Sequence, residues 1–258
     1  MSSTIRNNLK LLKNFIVKFL FPSIAILVIW NILYKITDMD YGVPSIIETF
    51  KSLVRIVSEN TFAETVLIAF IRVLVGLLIG TFLGVLLAVI CHWFSVINAI
   101  LSPIISIMKT TPIACIIVLL WIIFTPNQVT VFVVFLMVMP IVWQNSIDAF
   151  LSIDKDLVEV SEVFEFSKTK KIKLLILPSL LHYIIPAIIT SIGLAWKAEI
   201  AAEIITSSNI GKLIHKYKDI EFDMAPVFAW TIIIVVISLI FEKTAKYFLR
   251  RLANESFD

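Results

Sequence analysis

Residues 154–178 read DKDLVEVSEVFEFSKTKKIKLLILP, from Asp154 to Pro178. The stretch is dense in Asp, Glu and Lys, and long apolar runs stand on both sides of it. Hydrophobic residues make up 59% of the 258-residue chain, charged residues only 16%, and the mean hydropathy is +0.99. Soluble domains lie nearer ~45–50% apolar and ~25% charged. This composition predicts an all-α, polytopic transmembrane helical bundle, because a helix satisfies its own backbone hydrogen bonds in lipid. The polar–apolar alternation of barrel strands is absent. A charged loop of this size between two spans is a surface offered to a partner.

Six apolar runs form candidate spans: Phe15–Tyr34, Phe62–Cys91, Ile97–Phe124, Val129–Phe150, Ser179–Ile205 and Ala225–Leu249. About 20 helical residues at ~1.5 Å each cross the hydrocarbon core. The second, third and fifth runs exceed that, so they tilt, protrude or break, with Pro103 and Pro112 as breakpoints in the third. The first run lacks a cleavage site behind it and reads as a retained span. Cys91 and Cys115 read as small buried hydrophobes, and no metal-ligand spacing is present.

Lys and Arg set the orientation. They concentrate in three segments: Arg6, Lys10, Lys13 and Lys18; Lys155, Lys168, Lys170, Lys171 and Lys173; and Lys243, Lys246, Arg250 and Arg251. With six spans these segments share one side, the cytoplasm, which places both termini and the loop at 152–178 there. The Lys cluster of the loop is explained by this anchoring rule alone. No internal repeat and no second soluble domain is evident, so residues 1–258 read as one transmembrane domain. No GxxxxGK[ST] phosphate loop occurs.

Within the loop, Asp156 and Glu159 fit a capping box, and Asp154 is an equally good N-cap. Leu157, Val160, Val163 and Phe164 are spaced for one apolar stripe. Ser167 can cap a second short helix, Lys168–Leu177, before Pro178 opens the next span.

These residues resemble a signature of the permease subunits of binding-protein-dependent ABC importers. The pattern is Glu-Ala-Ala, three residues, Gly, nine residues, Ile, one residue, Leu-Pro. Glu159-Val160-Ser161, Glu165, Leu175 and Leu177-Pro178 take those places with the spacing kept. Glu165 departs from the pattern: a glycine turns there with positive φ at little cost. The turn is therefore expected to shift to Phe166-Ser167, or the first helix to lengthen. Val43-Pro44-Ser45, Phe70–Gly76, Gly193–Trp196, Ala201-Ala202-Glu203 and Gly211 are similar to the nitrate, sulfonate and taurine branch, which includes thiamine-precursor importers.

The resemblance implies a type I importer fold in the bacterial plasma membrane and a non-enzymatic chain that binds no cofactor. It further implies partner ATPase subunits using ATP-Mg, a second permease copy and an extracytoplasmic binding protein. The solute that the resemblance implies is an organic or inorganic anion (sulfonate, taurine or nitrate-like) or a thiamine-precursor-like pyrimidine. The loop helix would dock in an ATPase groove through Leu157, Val160, Val163 and Phe164, with Glu159 and Glu162 setting register. Beyond lipid and these proteins, no nucleic acid is expected. An ion-coupled transporter would show inverted repeats with paired broken helices, and an intramembrane enzyme an HExxH or GxSxG cluster; none is found.

Arg72, Lys109, Lys197, Glu199 and Glu203 fall in or near spans. A mid-bilayer charge costs ~2.5–3.5 kcal/mol on insertion scales, which makes all five candidates for a translocation path. Arg72 lies ~15 Å from the outer end of its span, so it needs a partner within the bundle or a polar cavity. Lys109 precedes the break at Thr110-Thr111-Pro112. Counting from Ser179, Lys197 lies ~27 Å up, which leaves Glu199 and Glu203 at the outer interface, where water suffices; an outer gate or acidic rim is the alternative.

Overall fold

The computed structural model describes residues 21–37 and 42–255. The cations Arg6, Lys10, Lys13 and Lys18 and residues 15–20 of the expected first span lie outside the described residues. The chain divides into two compact units. One comprises the described part of Met1–Glu59 together with Lys216–Ile233; the other comprises Asn60–His215 and the described part of Ile234–Asp258.

In the first unit, α1 (Phe21–Ile36) is apolar but short, and Trp30 Nε1 donates to the Pro44 carbonyl at 2.9 Å. Helix α2 (Ile46–Val57) is closed by a capping box. The Ser45 Oγ accepts from the Glu48 N–H, and the Ser45 N–H donates to Glu48 Oε2, each at 3.2 Å.

The second unit is built around two helices, α3 (Phe62–Trp93) and α6 (Pro126–Leu151). Gly76, Gly80 and Gly84 recur every fourth residue on α3, and a Cβ at each would meet Val134, Val138 or the Met139 carbonyl at 2.6–2.9 Å. Small residues at this spacing let two backbones close where apolar lipid supplies no hydrophobic drive. On α6 the result is a fully buried row: Val129, Val133, Val134, Val138 and Val142.

Helices α4 (Ser95–Thr110) and α5 (Ile113–Ile123) meet at 105°. The break falls at Thr111-Pro112, both extended, because proline drives its predecessor out of the helical region. Pro103, the other expected breakpoint, stays inside α4. Cys91 is buried as expected, whereas Cys115, on α5, is exposed.

The loop holds α7 (Lys155–Val163) and α8 (Lys168–Lys171). The expected separate helix Lys168–Leu177 does not form. A π-helical turn, Ile172–Ile176, joins α8 to α9 (Leu177–Ile205), giving one 38-residue helical rod, Lys168–Ile205. The Leu177 N–H reaches back to the Ile172 carbonyl, and this wider turn absorbs the donor that Pro178 lacks. Helix α10 (Asn209–His215) follows, and α11 (Met224–Glu255) runs from the first unit into the second. Among the described residues, four helices are long and apolar enough to cross a membrane; α4 with α5 forms a broken fifth and α1 is a shorter apolar segment.

Candidate functional site

The loop's local structure is set by its caps. Asp154, not Asp156, is the N-cap of α7, its Oδ1 accepting from the Asp156 N–H at 2.9 Å. Glu159 therefore stands outside any capping box. At the other end Glu165 itself adopts φ 46°. The Phe166 N–H reaches the Ser161 carbonyl (2.9 Å) and the Glu165 N–H the Glu162 carbonyl (3.0 Å), the bond pair of a Schellman cap. The turn neither shifts nor lengthens the helix, because two backbone bonds offset the strain of a left-handed glutamate.

Leu157, Val160, Val163 and Phe164 are all exposed, the last two at 79% and 70%. Ser161 is the exception on α7. It is buried, its Oγ donating to the Val158 carbonyl at 2.6 Å, so it presents nothing to a partner. Lys171 Nζ lies 3.7 Å from Glu162 Oε1, and Lys170 Nζ 3.8 Å from the centre of the Phe166 ring. The base of the loop is closed by Ser179, whose Oγ donates to the Ala149 carbonyl at 2.8 Å.

The second cluster joins three of the five intramembrane charges. Arg72 Nη1 lies 2.8 Å from Glu203 Oε1 and 3.9 Å from Glu199 Oε1, and its Nη2 donates to Asn127 Oδ1 at 2.6 Å. Asn209 Nδ2 donates to Glu203 Oε1 (2.8 Å) and to the Thr65 carbonyl (3.0 Å), while the Ile210 N–H donates to Glu203 Oε2 (3.0 Å). Glu199 and Glu203 are both completely buried, which overturns their expected solvation. Depth along α9 is not burial: α10 folds back over the end of α9. It lies so close that a Cβ at Gly211 would overlap the Glu203 carbonyl. Among the described residues the Glu199 oxygens have no hydrogen-bond donor, and Arg72 stands 3.9 Å away as a countercharge.

Lys109 and Lys197 are exposed and stand apart from this cluster. Asn127 and Asn209 were missed as site residues, since a polar residue beside a helix end reads as a cap. The one visible signal was Asn209 six residues beyond a span carboxylate. Among the described residues no group of three or more His, Cys, Asp or Glu could hold a metal ion.

Residues 80–254 match the sequence profile of the binding-protein-dependent transport system inner membrane component. The chain belongs to this family. As an inner membrane component of an ABC importer it is a membrane-resident transport chain, in line with its apolar helices. Bicarbonate transport system permease protein CmpB of Synechococcus elongatus, and its counterpart from a second Synechococcus strain, are each 32% identical over 117 residues. That alignment spans 45% of this chain and 42% of the relative's length. In fold, this family member is similar to two crystal forms of an inward-facing methionine ABC transporter, MetNI. TM-scores are 0.55 and 0.51 at 20% and 17% identity, over 75% of this chain and 93% of the other. Those low identities carry the architecture alone.

Proposed function

We propose that this chain is the permease subunit through which an ATP-driven importer moves a small anionic solute, with α7 as its coupling helix. The observation that carries the reading is an apolar face, Leu157, Val160, Val163 and Phe164, left uncovered on a helix that the family signature marks. A helix laid in a groove transmits motion when its apolar anchors are buried and polar neighbours fix the register. Glu159 and Glu162 supply those neighbours.

The remaining parts follow from the same reading. Residues 1–258 form one permease domain with both termini and the loop in the cytoplasm. A second copy completes the pore, partner subunits hydrolyse ATP-Mg, and an extracytoplasmic binding protein delivers the solute. The bicarbonate permease relatives favour an anion over a pyrimidine. Arg72, Glu199 and Glu203 act as a clamp within the bundle, leaving Lys109 and Lys197 as the cations free to face the path.

The test is coexpression with a cognate ABC ATPase subunit. Val163→Asp and Glu159→Lys should each lower solute-stimulated ATP hydrolysis and uptake by about tenfold or more while membrane insertion is kept. Normal uptake with both substitutions would sink the coupling assignment.

A further inference from the structure

Helix α2 is turned the wrong way round for water. Its inward face buries Thr49 and Ser52 beside Ile56, while Ile47, Phe50, Val54 and Val57 are exposed, the first two at 69% and 64%. The exposed four follow one another at helical spacing, which sets them in one stripe. Lys51, one turn after Ile47, borders that stripe, and Arg55, one turn further on, continues the same edge. Both cations are exposed, and among the described residues neither carries an ion pair. Glu48, the one carboxylate on α2, is turned back onto the Ser45 cap.

Length and level decide what solvates this face. With 12 residues α2 is about 18 Å long, too short for a hydrocarbon core of about 30 Å, so it is not a span. Its start is fastened to α1 at an aromatic level. Trp30 Nε1 donates to the Pro44 carbonyl, and Tyr34, one turn beyond Trp30, lines a cavity of about 500 Å³ together with Lys51 and Ser52. Tryptophan and tyrosine gather where membrane meets water, because each has an apolar body and a polar tip. A helix held at that level, apolar outward and cationic along one edge, has the layout of one lying in the interface plane. The long Lys and Arg stems reach headgroup phosphates while their apolar neighbours enter the acyl boundary.

We infer that the exposed face of α2 is a binding surface for anionic phospholipid, with Ile47, Phe50, Val54 and Val57 in the acyl boundary and Lys51 and Arg55 on the phosphates. The surface involves neither the coupling loop nor the Arg72 cluster, so it stands or falls independently of the import reading.

The test uses the full chain with Cys91→Ala and Cys115→Ala, in nanodiscs of phosphatidylcholine mixed with phosphatidylglycerol. Spin labels are placed singly through Ile47→Cys, Phe50→Cys, Val54→Cys and Val57→Cys. At all four, collisions with oxygen should exceed those with a water-soluble nickel chelate, as at the span control Leu78→Cys. Glu59→Cys, beyond the helix, should show the reverse. A fluorophore at Phe50→Cys is then quenched by doxyl-labelled phosphatidylglycerol or phosphatidylcholine, and phosphatidylglycerol should be favoured about fivefold or more. Lys51→Gln with Arg55→Gln should bring the two lipids to parity while the oxygen profile is kept. Lys51→Arg with Arg55→Lys should keep the preference; a merely structural role for either cation would not move the ratio. Nickel-chelate contact at the four labels puts the face in water and overturns the assignment. Labels shielded from both reagents put it against protein, a second copy included, and overturn it as well. Equal quenching by the two lipids with Lys51 and Arg55 in place, or a preference that survives the Gln pair, overturns the headgroup assignment.

Discussion

At Glu165 the backbone adopts φ 46°, which a Cβ-bearing residue occupies only at a cost of ~1–2 kcal/mol. Replacing it by glycine keeps both cap bonds and removes the steric term. Glu165→Gly should thus stabilise the turn by about 1 kcal/mol, read as slower amide exchange at Phe166 and at the end of α7. The opposite result is expected at the buried cluster. Arg72 touches two carboxylates that water cannot reach, so removing one partner leaves a charge stranded. Glu203→Gln or Arg72→Gln should each destabilise the chain by roughly 3–5 kcal/mol. The double substitution strands Glu199 alone and should cost less than the sum, and a double-mutant cycle on unfolding in detergent measures the difference.

Two elements depend on small residues. Helix α3 approaches α6 through Gly76, Gly80 and Gly84, and at Gly80 a Cβ would stand 2.8 Å from the Val138 Cβ. Gly80→Leu is expected to separate the two helices and abolish the monodisperse folded peak in detergent, whereas Leu78→Ala, on the exposed side of the same helix, leaves it intact. Helix α2 depends on its cap. The Ser45 hydroxyl and then its N–H hold the Glu48 carboxyl below its usual range. The folded value lies under the unfolded one, so the cap contributes fully at neutral pH, above the unfolded value. It is lost as acid takes the pH down through the folded value. Amide exchange in the first turn of α2 should accelerate across that acid window in the wild type. Ser45→Ala should accelerate it at neutral pH by the equivalent of about 1 kcal/mol and flatten the acid response.

For the whole molecule, the Lys and Arg count predicts which side each loop faces. In a Cys91→Ala, Cys115→Ala background, Val163→Cys should react with a membrane-impermeant maleimide only in inside-out vesicles, and Asn60→Cys only in intact cells. The reverse pattern would invert the topology. Much of the architecture was legible from the chain: the helical membrane class, the location of the runs, the break at Pro112 and the short helix from about residue 155. Those features are local. Apolar length, proline sterics and capping chemistry act within a few residues of their cause. The fates of Glu199 and Glu203 were not legible, because a helical wheel and a depth count cannot show that α10 returns to cover the end of α9. Nor was the merger of α8 with α9, which turns on one proline being absorbed by a π-helical turn. The conformation of Glu165 was also hidden, since a Schellman cap offsets its strain with two bonds made after the chain has turned. Composition and local spacing thus determined a membrane bundle with one offered helix. Only the tertiary structure decided which charges are buried together and which stay exposed, because burial is set by neighbours distant in sequence: Arg72 and Glu203 are 131 residues apart.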